Sequence, residues 1–199
     1  MKNNINIFWA VLSLCYVALG SAGLHADDQK NGVFVGYELN EMVLNEFNKF
    51  AGEVGYRFRK QDQMRLSYMD VVLTERHLSG SEASAVDGDN VKGKFQGWEL
   101  SYDRFLGSSS WYLSVNAGHF RHLYQHTVLD DELDFESNSL GIGFGYFDIN
   151  HLGIDGLTLN ISVPIRKYLQ PQDKTYLGDT RINAHSIVNN FWFFIGYAF

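Results

Sequence analysis

The last nine residues of the chain, 191–199 (FWFFIGYAF), constrain its fold more than any other segment. Every second residue is large and apolar, and the row ends on an aromatic residue: Phe191, Phe193, Ile195, Tyr197 and Phe199. Alternation at period two is typical of a β-strand with one apolar face. An exposed terminal Phe gains nothing in water, whereas a strand that faces lipid places its terminal ring among the headgroups. The segment therefore predicts a transmembrane β-strand.

The front of the chain has the pattern of a secretory signal peptide over residues 1–26. Lys2 supplies a positive charge, residues 5–19 form an apolar run, and small residues follow at 20–23. The apolar run is shorter than the roughly 20 residues of a spanning helix, which argues against a retained anchor. We predict cleavage after Ala26, with cleavage after Gly23 as the alternative. The domain prediction is a signal peptide at 1–26 and a β-barrel domain at 27–199.

The single cysteine, Cys15, lies inside the predicted signal peptide. Leu14 precedes it where a lipoprotein would carry a small residue, so we do not expect a lipid anchor. The cleaved chain would have no thiol, which excludes disulfides and cysteine-bound zinc. The formal net charge of −7 disfavours nucleic-acid binding. After residue 26 no apolar segment has the length of a spanning helix, so any span must consist of strands.

Eight segments alternate apolar with polar or small residues, and their lengths suit tilted transmembrane strands. They predict an all-β, eight-stranded antiparallel transmembrane barrel with up-and-down order. The predicted strands are residues 32–40, 49–59, 64–74, 95–105, 111–120, 139–147, 157–168 and 187–199.

The connections between these strands alternate in length. Shorter turns at 60–62, 107–110 and 148–156 are expected on the periplasmic side, together with both termini. Longer loops at 76–93, 123–136 and 169–186 are expected outside, and the link at 41–48 is intermediate and unusually apolar. An even strand number returns the C-terminus to the side where the chain entered.

Aromatic residues fall at the periplasmic end of most predicted strands, where they would form a girdle. They are Phe58, Tyr102, Trp111, Tyr146, Tyr197 and Phe199. A water-soluble eight-stranded barrel with its apolar residues inside is the alternative. One residue conflicts with strict alternation, because Asp70 would face lipid unless a bulge near Met69 or a position at the outer rim resolves it.

Charged residues occupy the faces opposite the apolar rows, so they should point into the barrel. The predicted interior network is Glu38, Glu53, Arg57, Arg65, Glu99, Asp103 and Arg166. An eight-stranded barrel is just wide enough for side chains to fill it, and buried charges must be paired. Trp192, Phe194 and Phe34 also point inward, and we expect Gly141, Gly143 and Gly145 to make room for them. A narrow gated ion path through this network is the alternative to a closed plug.

Histidines are the remaining candidates for chemistry. His119, His122 and His126 have a spacing that could bind a metal on a helix, but on a strand His119 and His122 face opposite sides. Acidic residues in the long loops lack the spacing of a calcium-binding loop. We therefore predict no metal site, no cofactor and no catalytic residues.

In its closing strand, girdle and strand number, the chain resembles the small bacterial outer-membrane barrels typified by the OmpA membrane domain, OmpX and OmpW. The resemblance implies an integral outer-membrane location, with long loops extracellular and termini periplasmic. It also implies that Phe193, Ile195, Tyr197 and Phe199 form the signal recognised by the barrel-assembly machinery. The implied partners are outer-membrane lipid, lipopolysaccharide, periplasmic chaperones and a protein at the cell surface.

The expected function is structural or surface-interacting, through the long outer loops. One alternative is a narrow or lateral-opening channel for ions or small hydrophobic molecules. Another is a lipid A-modifying enzyme. Deacylases of that kind use a His-x-Ser pair, whereas Ser186 directly follows His185 here. Palmitoyltransferases use His, Asp and Ser, for which His77, Asp87 and either Ser79 or Ser81 are the candidates, but spacing holds no nucleophile beside a base. We therefore expect a non-enzyme.

Overall fold

The computed structural model describes residues 32–39, 50–73, 86–87, 91–173, 175–178, 180–182, 185–189 and 191–199. The predicted signal peptide and the apolar link at 41–48 lie outside these ranges. No helix in the ranges described is long and apolar enough to cross a membrane. The strands are β1 Gly32–Glu38, β2 Phe50–Arg59, β3 Asp62–Leu73, β4 Val86–Asp87, β5 Val91–Phe105, β6 Trp111–His126, β7 Glu132–Ile149, β8 Leu157–Gln172, β9 Thr175–Leu177, β10 Thr180–Ile182, β11 His185–Asn189 and β12 Trp192–Ala198.

Eight antiparallel strands close into a ring in the order β12-β1-β2-β3-β5-β6-β7-β8, with β8 pairing back to β12. A path that follows paired residues from Asp148 on β7 around the ring returns to β7 at Asn138. This displacement of ten residues over eight strands tilts the strands by about 40° from the barrel axis. The predicted fold class is confirmed.

The outer face of the barrel is apolar and the inner face is polar at membrane level. On β6, Trp111, Leu113 and Val115 are exposed, whereas Ser114 and Asn116 between and beside them are buried. The same alternation runs along β5 over 97–105, along β7 over 137–144 and along β8 over 164–169. A water-soluble barrel would have the opposite arrangement, so that alternative is wrong and the barrel is of the transmembrane kind.

Four strands extend further outward than predicted, and the predicted loop at 123–136 is wrong. β6 and β7 remain paired as far as Gln125 and Glu132, which leaves a tight connection at 127–131. β5 starts at Val91 and β8 runs to Gln172. These extensions exist because their inward side chains form a core at the outer mouth of the barrel.

A second, three-stranded sheet of order β4-β10-β9 lies in regions that we predicted as loops. Its residues Leu177 and Ile182 pack with Val91 and Tyr124 of the barrel, and Leu133 and Phe135 border this cluster. We call the sheet and this cluster the outer cap. Strands of two or three residues are too short for periodicity to reveal them.

One local prediction needs revision, and the conflict at Asp70 is resolved by the second of its two predicted explanations. The predicted strand at 187–199 is divided into β11 and β12, although both pair with β8. Asp70 needs no bulge, because Met69 is buried and alternation continues through it. Asp70 instead lies at the outer edge of the apolar band, where its carboxylate is 3.2 Å from the Lys94 amine.

Candidate functional site: the barrel interior and its outer mouth

Aromatic rings fill the end of the barrel interior that lies nearest the C-terminus. Phe34, Phe105, Tyr112 and Phe147 form one buried cluster, and the centroids of Phe34 and Phe147 are 4.6 Å apart. The Arg57 guanidinium lies 3.9 Å from the Phe105 centroid and donates to the Lys60 carbonyl. These buried rings form the floor of the described interior at that end.

Glycines on neighbouring strands make room for these rings. A Cβ at Gly55 would overlap the Phe34 ring, and a Cβ at Gly145 would overlap Tyr112. The expectation that Gly141, Gly143 and Gly145 of β7 make room for Trp192, Phe194 and Phe34 is wrong, because all three lie beside inward side chains of β6. Gly143 meets Ser114 and Gly141 meets Asn116, because the inward row of β6 faces β7 directly.

An ionic layer lies above the floor. Arg65 donates to Asp103 from Nε at 2.6 Å and from Nη2 at 3.1 Å, and its Nη1 donates to Glu53 at 2.9 Å. The Gln63 amide also donates to Asp103, at 2.8 Å. The Asn160 amide donates to both oxygens of Glu53, at 2.8 and 3.0 Å. Every member is buried, so the charged groups are removed from water, and each has hydrogen-bonding partners within the layer.

A second buried pair continues this layer towards the outside. Arg166 donates to both oxygens of Glu99, from Nε and, at 2.8 Å, from Nη2. Its guanidinium carbon also lies 5.8 Å from the ring centroids of Phe120 and Trp192. Arg166 therefore joins the ionic layer to the aromatic residues above it.

The structure brings five of the seven predicted network residues into these two groups and puts two elsewhere. Glu38 is fully buried and accepts a hydrogen bond from the backbone N–H of Phe193 at 2.9 Å. Arg57 belongs to the aromatic floor. Gln63 and Tyr112 were missing from the prediction, although each has the inward parity of its strand, whereas Asn160 points inward as its parity predicts. Tyr112 donates its hydroxyl hydrogen to Asn160 at 2.8 Å.

An apolar layer closes the interior above the charges. Its buried members come from five strands: Ala51, Met69, Val71, Phe120, Tyr168, Trp192 and Phe194. The partly buried Phe95 packs against them. The rings of Phe95 and Phe120 stack with centroids 4.8 Å apart. The inward positions of Trp192, Phe194 and Phe34 agree with the sequence prediction.

The histidines of β6 occupy different environments. His119 points outward, with Nδ1 3.1 Å from the Asn138 carbonyl oxygen, whereas His122 is buried on the opposite face, as predicted. The His122 ring stacks on Phe135 with centroids 4.7 Å apart, and its Nε2 lies 3.4 Å from the Ser137 hydroxyl. Nδ1 of His126 accepts hydrogen bonds from the backbone N–H groups of Val128 and Leu129.

These environments give little support to metal binding or acyl transfer. Among the described residues, no group of three or more His, Cys, Asp or Glu could hold a metal ion. The His122–Ser137 pair is enclosed by ring contacts and has no exposed approach. Of the candidates for lipid A chemistry, His77, Ser79 and Ser81 lie outside the described ranges, and His185, Ser186 and Asp87 are described only as backbone.

The strand extensions above the apolar band carry charged side chains on their outward faces. Arg121 donates to both oxygens of Asp134, and this hydrogen bond lowers the pKa of Asp134. On the same face, a carboxylate oxygen of Glu136 lies 3.7 Å from Nε2 of His119. The change from apolar to ionic outward residues marks the outer boundary of the membrane-facing surface.

The girdle occupies the outward face at the end of the barrel that carries the C-terminus, where the closing strand ends. Ile195, Tyr197 and Phe199 are exposed outward, but Phe193 is buried against Tyr146, Leu159 and Ile161. Phe193 thus belongs to the same alternating row, but its neighbours on the adjacent strands cover it. Neighbouring girdle rings also touch, with 5.3 Å between the centroids of Trp111 and Tyr146 and 6.5 Å between those of Phe58 and Tyr102.

Comparison with known proteins gives matches only among solved structures, since no family model and no curated protein matches the chain. The chain is similar to the Yersinia pestis attachment invasion locus protein Ail, at 13% identity and a TM-score of 0.40 over 85% of this chain and 97% of that chain. It is also similar to Ail in complex with the heparin analogue sucrose octasulfate, with the same identity and coverage and a TM-score of 0.43. For the N-terminal β-barrel domain of Pseudomonas aeruginosa OprF, identity is 13%, coverage 86% and 98%, and the TM-score 0.42. The transmembrane fold follows from this chain's own strand pairing and apolar outer face.

Proposed function

We propose that the protein is an integral barrel of the bacterial outer membrane with a structural or surface-interaction role. In the orientation that we propose, the outer cap and the long connections are extracellular and both termini are periplasmic. The partners would be outer-membrane lipid and lipopolysaccharide, with contacts to a surface protein through the outer cap. Periplasmic chaperones and the barrel-assembly machinery would act during biogenesis, the latter on Phe193, Ile195, Tyr197 and Phe199.

The observation that carries this proposal is the filling of the barrel interior. Three consecutive layers occupy it: the aromatic floor, the ionic layer and the apolar layer. Paired side chains occupy the interior at successive levels, with the Arg65–Asp103 pair in the ionic layer and the Phe95–Phe120 stack in the apolar layer. A sealed barrel with a folded outer cap suits an architectural or surface role better than transport.

A structural role is also favoured over lipid A modification. An acyl-transfer site needs a nucleophile beside a base at the membrane surface. The described Ser–His contact, between Ser137 and His122, is buried inside the barrel. It faces away from the lipid that an enzyme of this kind would attack.

Planar-bilayer recordings of the refolded protein test this proposal, with a general porin in the same lipid as positive control. We expect no unitary conductance from the wild-type barrel. Insertion is checked by the heat-dependent shift in gel mobility that folded barrels show. Steady channels from the folded protein would contradict a sealed structural barrel.

Mass spectrometry of lipid A tests the enzymatic alternative. The refolded protein is incubated in bilayers that contain lipid A, and protein-free bilayers serve as control. We expect an unchanged number of acyl chains. A loss or gain of an acyl chain would make the protein an enzyme.

A further inference from the structure

Four aromatic side chains form a connected row on the outward face of β1, β2, β3 and β5. The ring centroids are 5.5 Å apart between Tyr37 and Phe50, 6.2 Å between Phe50 and Tyr68, and 4.4 Å between Tyr68 and Trp98. We call this row the aromatic ledge. Phe50 and Trp98 are each 51% exposed, so the ledge presents ring surface to the surroundings of the barrel.

Among the described residues, the ledge lies on four neighbouring strands of one side of the barrel, and Phe191, 42% exposed directly before the adjacent β12, adds a further ring on that side. At the corresponding outer edge of β6, β7 and β8, the outward residues are the aliphatic Ala117, Leu140 and Ile165. An ordinary interfacial belt of aromatic residues would surround the barrel, as the periplasmic girdle does. The restriction to one side indicates a specific contact rather than general anchoring.

A glycine keeps the ledge flat. Gly52 lies between Tyr37 and Tyr68 in the strand register, and the Phe50 ring covers it. A Cβ at Gly52 would come within 2.8 Å of that ring. The rings therefore form a continuous shallow surface without a protruding side chain between them.

Polar groups border the ledge on its outer side. The Gln96 amide donates to the Tyr68 hydroxyl at 2.6 Å, and Asp70 pairs with Lys94. Lys92 is exposed two residues further out on the same face of β5. Apolar strands below, rings at the boundary and ammonium groups above match a ligand with acyl chains, a sugar ring and a phosphate, in that order.

We propose that the aromatic ledge binds a phosphorylated glycolipid of the outer leaflet. The acyl chains lie along the apolar band, the sugar packs on the faces of Phe50 and Trp98, and Lys92 and Lys94 meet the phosphate. Apolar C–H groups of a sugar pack on aromatic faces, whereas a phospholipid headgroup without a sugar gains no such contact. The inference rests on the proposed outer-membrane location and names its lipid partner.

Native mass spectrometry of the refolded full chain tests the inference. Mixed micelles contain bisphosphorylated lipid A and an equal amount of phosphatidylglycerol, and the lipid retained on the barrel is counted. We expect the wild type to retain lipid A preferentially. Trp98→Leu and, independently, Phe50→Leu should each lower lipid A retention about threefold to tenfold, the range expected for loss of one aromatic contact.

Phe144→Leu is the matched control, because Phe144 is 49% exposed on the outward face of β7, away from the ledge. This variant should retain lipid A like the wild type. Asp70→Asn releases Lys94 and should raise retention of bisphosphorylated lipid A relative to its dephosphorylated form about twofold to fivefold. The gel-mobility shift verifies that every variant is folded.

Equal retention of lipid A and phosphatidylglycerol by the wild type would overturn the inference, as would an equal loss in Phe144→Leu. In that case a folded, non-conducting barrel would still support the structural role. Conducting channels in the bilayer assay would instead contradict the proposed function, whatever the lipid preference. The two experiments thus separate failure of the lipid partner from failure of the barrel's role.

Discussion

Arg65 on β3 holds Asp103 on β5 through two of its guanidinium nitrogens, at 2.6 and 3.1 Å. Both side chains are almost completely buried. The third nitrogen of the same guanidinium reaches Glu53 on β2. One cation therefore serves two carboxylates and links three strands inside the barrel.

Replacement of Arg65 by Met should destabilise the barrel strongly. Asp103 and Glu53 would both lose their cationic partner while remaining buried, and breaking a buried pair in this way costs about 3–5 kcal/mol. Urea-induced unfolding in lipid vesicles, followed by tryptophan fluorescence, measures the change in the free energy of unfolding.

The matched control for that variant is Arg121→Met. Arg121 also pairs with an aspartate, Asp134, but the two side chains are 54% and 33% exposed on the strand extensions. An exposed pair of this kind contributes little to stability, so the control should unfold near the wild-type urea concentration. Equal losses in the two variants would show that burial does not govern the energetics of these pairs.

Gly55→Ala should destabilise the barrel, because the new methyl group would overlap the Phe34 ring. Overpacking of this kind costs about 1–3 kcal/mol. The second substitution Phe34→Leu in the same chain should recover part of the loss, since it removes the ring that the methyl group meets. Simple additivity of the two changes in unfolding free energy would contradict this steric explanation.

Phe193→Ala and Phe199→Ala should behave differently, although the two residues belong to one sequence row. Phe193 is 8% exposed, and truncation of a buried Phe costs about 3–5 kcal/mol. Phe199 is 78% exposed, so its truncation should change the unfolding free energy by less than about 1 kcal/mol. If Phe199 acts as an assembly signal, its loss should instead reduce the amount of barrel assembled in cells. Normal assembly of Phe199→Ala would contradict that role.

Ile182→Ala should loosen the outer cap without unfolding the barrel. Ile182 is buried in the cap cluster with Leu177 and Tyr124. Hydrogen exchange in residues 175–182 should accelerate about tenfold or more, which reflects a local loss of roughly 1.4 kcal/mol. The variant should stay non-conducting, because the apolar layer below the cap is unchanged. Tyr176→Ala, at an exposed cap position, is the control and should exchange like the wild type.

The sequence was sufficient to predict the strands at membrane level because each carries one apolar row. Above the membrane the rule reverses, since water lies outside the barrel and a small core lies inside. There, Tyr124 points inward while Arg121 points outward. The outward rows of β6 and β7 are no longer apolar there, so the predicted strands are too short and the predicted loop between them is too long.

Strand parity also predicted which charges point inward, but it could not predict their partners. Arg65 and Asp103 are 38 residues apart in the chain, and they meet because of the register between β3 and β5. Glu38 has the same inward parity, yet it accepts the backbone N–H of Phe193. Such pairings depend on the register of the closed ring, which no single strand encodes.

The ten-residue displacement around the ring has a consequence for how this protein can diversify. Strand number and displacement together fix the barrel radius, and neither depends on the length of a connection. Insertions, deletions or exchange of the long connections would change the outer cap but leave the barrel radius and the three layers below the cap unchanged. The surface at that end can therefore diverge in sequence while the interior of the barrel is retained.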